Sequence, residues 1–96
     1  MNRRKPEAVG SFMDAYFAKY GLQDKINEAR AVMCWQHVVE DKVLSRTKTI
    51  FAKNKVLYVF FHSAPLRNEM MLRRADLIER INQLLGSKVI ENIIFQ

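Results

Sequence analysis

The sequence predicts an α+β domain: a helical N-terminal half, then a β-hairpin, a helix and a last strand. Three observations predict it. Two runs of β-formers, Thr47 to Phe51 and Val56 to Phe61, flank the turn Lys53-Asn54-Lys55, where Asn tolerates positive φ and the lysines keep the tip wet. Apolar residues recur at helical three-and-four spacing on both sides of that hairpin. A β-rich run, Val89 to Phe95, closes the chain.

Each element has its own justification. Residues 1–6 end at Pro6 and read as a flexible basic arm, leaving 7–96 as one domain. Glu7 to Tyr20 is expected to be helical, with Val9, Phe12, Met13, Tyr16 and Phe17 on one face. Gly21 ends it in the position where a left-handed residue is preferred. Leu22 to about Leu44 is again helical, with room for a break. Leu22, Ile26, Ala29, Val32, Met33 and Val39 are expected to face inward, with Trp35 near them. Ser45 to Thr47 turns the chain into the hairpin. Ser63 is a good N-cap, and Pro65 fits the first turn of the following helix. That helix is expected to run to Leu85 and stop at Gly86, burying Leu66, Met70, Met71, Leu77, Ile78, Ile81, Leu84 and Leu85. A strand–helix–strand unit pairs its strands in parallel.

Composition narrows the function. Sixteen Lys and Arg against ten Asp and Glu give a net charge of +6 and a pI near 9.8. Such a balance points to an anionic partner, with nucleic acid as the leading candidate. The single cysteine excludes an internal disulfide and fits a cytoplasmic protein. No apolar run approaches the ~18 residues of a membrane span, and Met1 to Pro6 lacks a following apolar stretch, so it is no signal peptide.

Several pieces in register resemble a bacterial family. They are Arg3-Arg4-Lys5 followed by the Gly10 helix, Trp35-x-x-Val38-Val39, and Leu57-Tyr58-Val59. Ser63-Ala64-Pro65-Leu66-Arg67-Asn68-Glu69-Met70, Leu77-Ile78-x-x-Ile81-Asn82 and Val89-Ile90-x-x-Ile93-Ile94-Phe95 complete the set. In this order they resemble the helicase-operator family named for DciA, over nearly the whole chain. The resemblance implies a fold similar to the type II KH domain. It also implies a role assisting the replicative DNA helicase, with the folded domain linked to DNA and a disordered tail linked to the helicase. Two departures stand out. Glu40 sits where the family usually places Gly, and the sequence ends at Gln96 directly after the last strand, so the tail's share of helicase contact is not expected of it. No Gly-x-x-Gly loop joins two helices, so the KH clamp on a single strand is not expected either.

The residues offer one main candidate site. Lys48 on the first strand, Lys53 and Lys55 at the hairpin tip, Arg67 and Arg74 on the long helix, and Arg3, Arg4 and Lys5 on the arm are the expected phosphate contacts. Period-two alternation puts Lys48 with Ile50 on one face, and Thr47 with Thr49 on the other. On the helix Glu69 can pair with Arg73, and Asp76 with Arg80, at i,i+4. Arg67 and Arg74 lack such partners and are expected beside the lysine hairpin. The plainer alternative is a solvated surface that happens to be basic.

Tyr58 and Phe60 share a face of the second strand with His62, opposite Leu57, Val59 and Phe61. Left open, that face would suit base stacking or a protein seam, to the helicase or to a second copy. The plainer expectation is that the first helix or the N-terminal segment covers it. Trp35 reads as a core anchor. Cys34 and His37 lie at i,i+3 with only His62 as a third ligand, too few for zinc. They also lack an orienting acid for nucleophilic catalysis. Gly10, Gly21 and Gly86 are too far apart to cradle a phosphate. The expectation is a non-enzymatic DNA-binding domain without sequence readout, with RNA as a second candidate ligand. No cofactor or metal is expected, and the protein is expected to be a monomer or weak homo-oligomer.

Overall fold

The computed structural model describes Lys19 and residues 21–96, and elements are numbered from there. The basic arm with Arg3, Arg4 and Lys5, and the expected helix from Glu7 to Tyr20 save Lys19, lie outside the described residues. Gly21 takes the left-handed conformation expected of it, φ 72°. From it α1 runs over Leu22–Val38 and breaks at the extended Val39. A short α2, Asp41–Ser45, follows. The hairpin is β1, Thr47–Lys53, and β2, Val56–Phe61. Then come α3, Ala64–Leu72, α4, Arg74–Leu85, and β3, Asn92–Phe95.

The sheet order is β1-β2-β3, with β1 antiparallel to the central β2 and β3 parallel to it. The protein is thus α+β, and its order is compatible with the type II KH-like expectation. The turn at Asn54 and Lys55 has φ of 53° and 67°, the two-residue turn whose hand matches the strand twist. Ser63 caps α3 by accepting from the Leu66 N–H at 3.3 Å. Gly86 ends α4 at φ 80°.

One core joins the helices to the inner face of the sheet. It holds Trp35, Val43, Leu57, Val59, Met70, Leu77, Ile81, Ile90 and Ile93, all essentially out of water. The expected inner stripe of α1 is rotated. Ala31, Cys34, Trp35 and Val38 are buried, whereas Leu22, Ile26, Ala29 and Met33 are exposed. Both lines are apolar, and burying the large indole decides between them.

The long helix is also corrected. It breaks at Arg73, whose N–H still reaches the Met70 carbonyl at 2.9 Å. Leu66, Met70, Leu77, Ile81 and Leu85 are buried, but Met71 and Leu84 face solvent. The last strand is shorter than expected because Asn82 takes over the backbone of its first residues. Its Oδ1 accepts from Val89 N at 3.0 Å and Ile90 N at 2.9 Å. Its Nδ2 donates to the Ile90 carbonyl at 2.9 Å. Among the described residues no helix is long and apolar enough to cross a membrane.

Candidate nucleic-acid interface

The hairpin places two of the expected cations. Lys53 ends β1 and Lys55 holds the second turn position; both are exposed. The tip is not purely basic. Lys55 Nζ lies 3.7 Å from a Glu91 carboxylate oxygen, and the Asn54 N–H donates to the Glu28 carboxylate at 3.3 Å. A pocket of about 480 Å³ behind the tip is lined by Asp24, Glu28, Asn54, Lys55 and Lys88 among others. Its charges are mixed, which does not favour a polyanion.

The other expected cations stand at the opposite end of the sheet. Thr47 pairs with Phe61 and Thr49 with Phe60, with a β-bulge between them. Lys48 is the extra, exposed residue. The bulge overturns the simple alternation. Thr47 and Ile50 both face the core side, and Thr47 Oγ1 accepts the Trp35 indole N–H at 3.2 Å. Lys48 therefore does not share a face with Ile50.

Arg74 opens α4 with its guanidinium carbon 6.0 Å from the Phe95 ring centroid, and Phe95 pairs with Val59 near the end of β2. Arg67 lies in the first turn of α3, just after β2 ends, its N–H bonded to the Ser63 carbonyl at 3.0 Å. Lys48 and Lys53 are five strand positions apart, about 16 Å. The expectation that Arg67 and Arg74 stand beside the lysine hairpin is thus incorrect. The reason is topological: α4 must run back toward the tip to feed a parallel β3, so its first residue and all of α3 sit at the far end.

Lys48, Arg67 and Arg74 make no ion pair among the described residues. Arg74 is half-buried, and its Nε has no hydrogen-bond partner. Asp76 and Arg80 pair as expected, at 3.5 Å, but Glu69 does not hold Arg73. The break in the helix turns Arg73 toward Glu40 on the α1–α2 joint, where Nη1 lies 3.1 Å from Oε1. The Glu40 carboxyl is held below its usual range, first by a backbone hydrogen bond at its own residue and then by Arg73. Arg73 was hidden from the sequence because i,i+4 spacing gave it a nearer acid.

On the outer face of the sheet Tyr58 and Phe60 are half-buried, and they have a neighbour that strand-by-strand reading missed. Phe51 on β1 stacks on Tyr58 with centroids 4.8 Å apart and lies 6.1 Å from Phe60. Antiparallel pairing of Phe51 with Tyr58 was the signal that could have found it. His62 is exposed. Cys34 is buried with its thiol pKa pushed up by burial, against a smaller lowering by Arg30. Among the described residues no three His, Cys, Asp or Glu side chains gather to hold a metal.

This arrangement, a basic end with an aromatic sheet face, coincides with a family match. A model of the family described as Dna[CI] antecedent, DciA, matches residues 8–95. The chain belongs to the DciA family. The match covers the hairpin, both joints and every cation discussed above except those of the arm. DciA is a replicative-helicase loader and accessory family and not a known enzyme family. Comparison with curated proteins gives no match.

Proposed function

We propose that this DciA-family chain is a non-enzymatic, sequence-nonspecific DNA-binding module that assists the replicative helicase in the cytoplasm. Residues 7–96 act as one domain, with 1–6 as a basic arm. The observation that carries the reading is the set Lys48, Arg67 and Arg74: three cations at one end of the sheet, none in an ion pair among the described residues. Cations free of internal acids are available to phosphates, and such contacts position a duplex or single strand without reading bases. Lys53, Lys55 and the arm residues Arg3, Arg4 and Lys5 add longer-range attraction.

Titration of short single- and double-stranded DNA at two or more salt concentrations tests this. With about four phosphates neutralised, log K falls against log salt with a slope near −3 for single strands and −4 for duplex. Binding that ignores salt, or no binding at ~50 mM salt, defeats the reading.

A second reading rests on a different observation, the stack of Phe51, Tyr58 and Phe60 on the outer sheet face. Phe51 remains 43% exposed. That face suits a protein partner, the helicase or a second copy of the chain. Tyr58→Ser separates the readings: a seam loses association while DNA binding survives, and a stacking platform loses DNA binding.

A further inference from the structure

Arg73 has a position that neither its helix nor its packing requires. It stands at the joint between α3 and α4, with backbone angles of −97° and 5° outside the helical range. Its guanidinium reaches across to the α1–α2 joint, 33 residues away in sequence. There Nη1 donates to Glu40 Oε1 at 3.1 Å and also approaches Oε2 at 3.4 Å. Nη1 facing an anionic oxygen is a charge-assisted contact that a phosphate oxygen can also make.

The two partners are held differently. The Glu40 side chain is 56% exposed and that of Arg73 is 26% exposed. The same Arg73 Nη1 also lies 4.0 Å from the Met70 sulfur, and the Glu40 carboxylate is held as well by a backbone hydrogen bond at its own residue. A pair with its carboxylate this open to water is worth little. Beside Arg73 in the chain, half-buried Arg74 carries a buried Nε that finds no acceptor, and Leu72 projects into solvent. Two half-buried arginines therefore stand at one joint, and a single carboxylate touches one of them.

We propose that Arg73 is a phosphate-binding residue, that its ligand is a phosphate of a nucleic-acid backbone, and that the Glu40 carboxylate holds the phosphate's place until nucleic acid displaces it. The proposal rests on the DNA-binding reading above and adds to it a residue and a competitor. No bond forms or breaks. One anion replaces another at a preorganised guanidinium, and Glu40 returns to water. Glu40 then sets affinity without touching the ligand.

The test uses the full chain and a short labelled single-stranded DNA at ~50 mM salt. Glu40→Gln removes the competing charge and keeps the shape; it should tighten binding about 2- to 5-fold, the range set by an exposed pair. Arg73→Gln keeps most of the stem, so the fold is retained, which far-ultraviolet circular dichroism checks. In the Arg73→Gln background the gain from Glu40→Gln should vanish, because the gain runs through Arg73. A gain of the same size with and without Arg73 is a general charge effect and overturns the proposal. So does a Glu40→Gln protein that binds like the parent. In both cases salt-dependent binding by the parent leaves the DNA-binding reading standing. No binding by either the parent or Glu40→Gln overturns both.

Discussion

The indole of Trp35 is the residue on which three elements meet. It lies 6.3 Å from the Phe61 ring on β2 and 6.2 Å from Phe95 on β3, and its N–H is satisfied by Thr47 on β1. Thr47 in turn donates to the Val43 carbonyl at 2.9 Å, which ties α2 to the same point. Truncating a large buried ring removes burial and leaves a cavity, so Trp35→Ala should cost about 3–5 kcal/mol, much of a small domain's ~5–15 kcal/mol. Urea unfolding measures it; an unchanged midpoint with lost DNA affinity would make Trp35 a binding residue. Thr47→Val is a finer probe. It strands a buried indole N–H and should cost about 1–3 kcal/mol by the same measurement. That Trp35 is a core anchor is legible from its place in a helical apolar pattern. Its polar partner is not, because a bulge one residue away decides which face Thr47 takes.

The hairpin holds a local conflict between residue and backbone. Lys55 sits at φ 67°, where a side chain costs about 1–2 kcal/mol, and the second position of this turn favours Gly. Lys55→Gly relieves that strain but loses about 0.5–1 kcal/mol to the freer unfolded chain and gives up an exposed ion pair of little worth. The balance should be a gain of about 0.5 kcal/mol, read as a melting temperature higher by about 2–4 °C; a fall would show that the Glu91 contact outweighs the turn.

The hairpin strands were legible to within two residues because period-two runs end at turn residues. The break at Arg73 was not. Leu66, Met70, Leu77, Ile81 and Leu85 keep one helical phase through it, and neither Gly nor Pro marks the spot, so periodicity reports one helix where there are two. The late start of β3 was hidden for another reason. Asn82 supplies hydrogen bonds that a strand neighbour would otherwise make, and an Asn inside a helical pattern carries no such signal.

Among the described residues, the expected phosphate contacts divide between two ends of the sheet, about 16 Å apart along β1. The residue types of the candidate site were legible from net charge and i,i+4 bookkeeping, but their division depends on the crossover that makes β3 parallel. The two ends should therefore respond differently to charge reversal. Lys48→Glu with Arg67→Glu, at the end free of internal pairs, should weaken DNA binding at least tenfold and flatten the salt slope by about 1.4–1.8, two phosphate contacts. Lys53→Glu with Lys55→Glu, beside Glu28 and Glu91, should change the slope by less than half of that. Equal losses from the two pairs would mean that the ligand spans the full length of the strand.

The bulge at Lys48 bears on solubility as well. Among the described residues β1 is an edge strand, and an unpaired edge invites other chains to add to it. An extra residue and a charge near one end, with Lys53 at the other, interrupt the flat run of unpaired backbone groups between them. β3, the other edge, is only four residues long. A charge at this bulge opposes edge-to-edge pairing of chain copies, so Lys48→Val should leave a folded protein that aggregates at concentrations the parent tolerates.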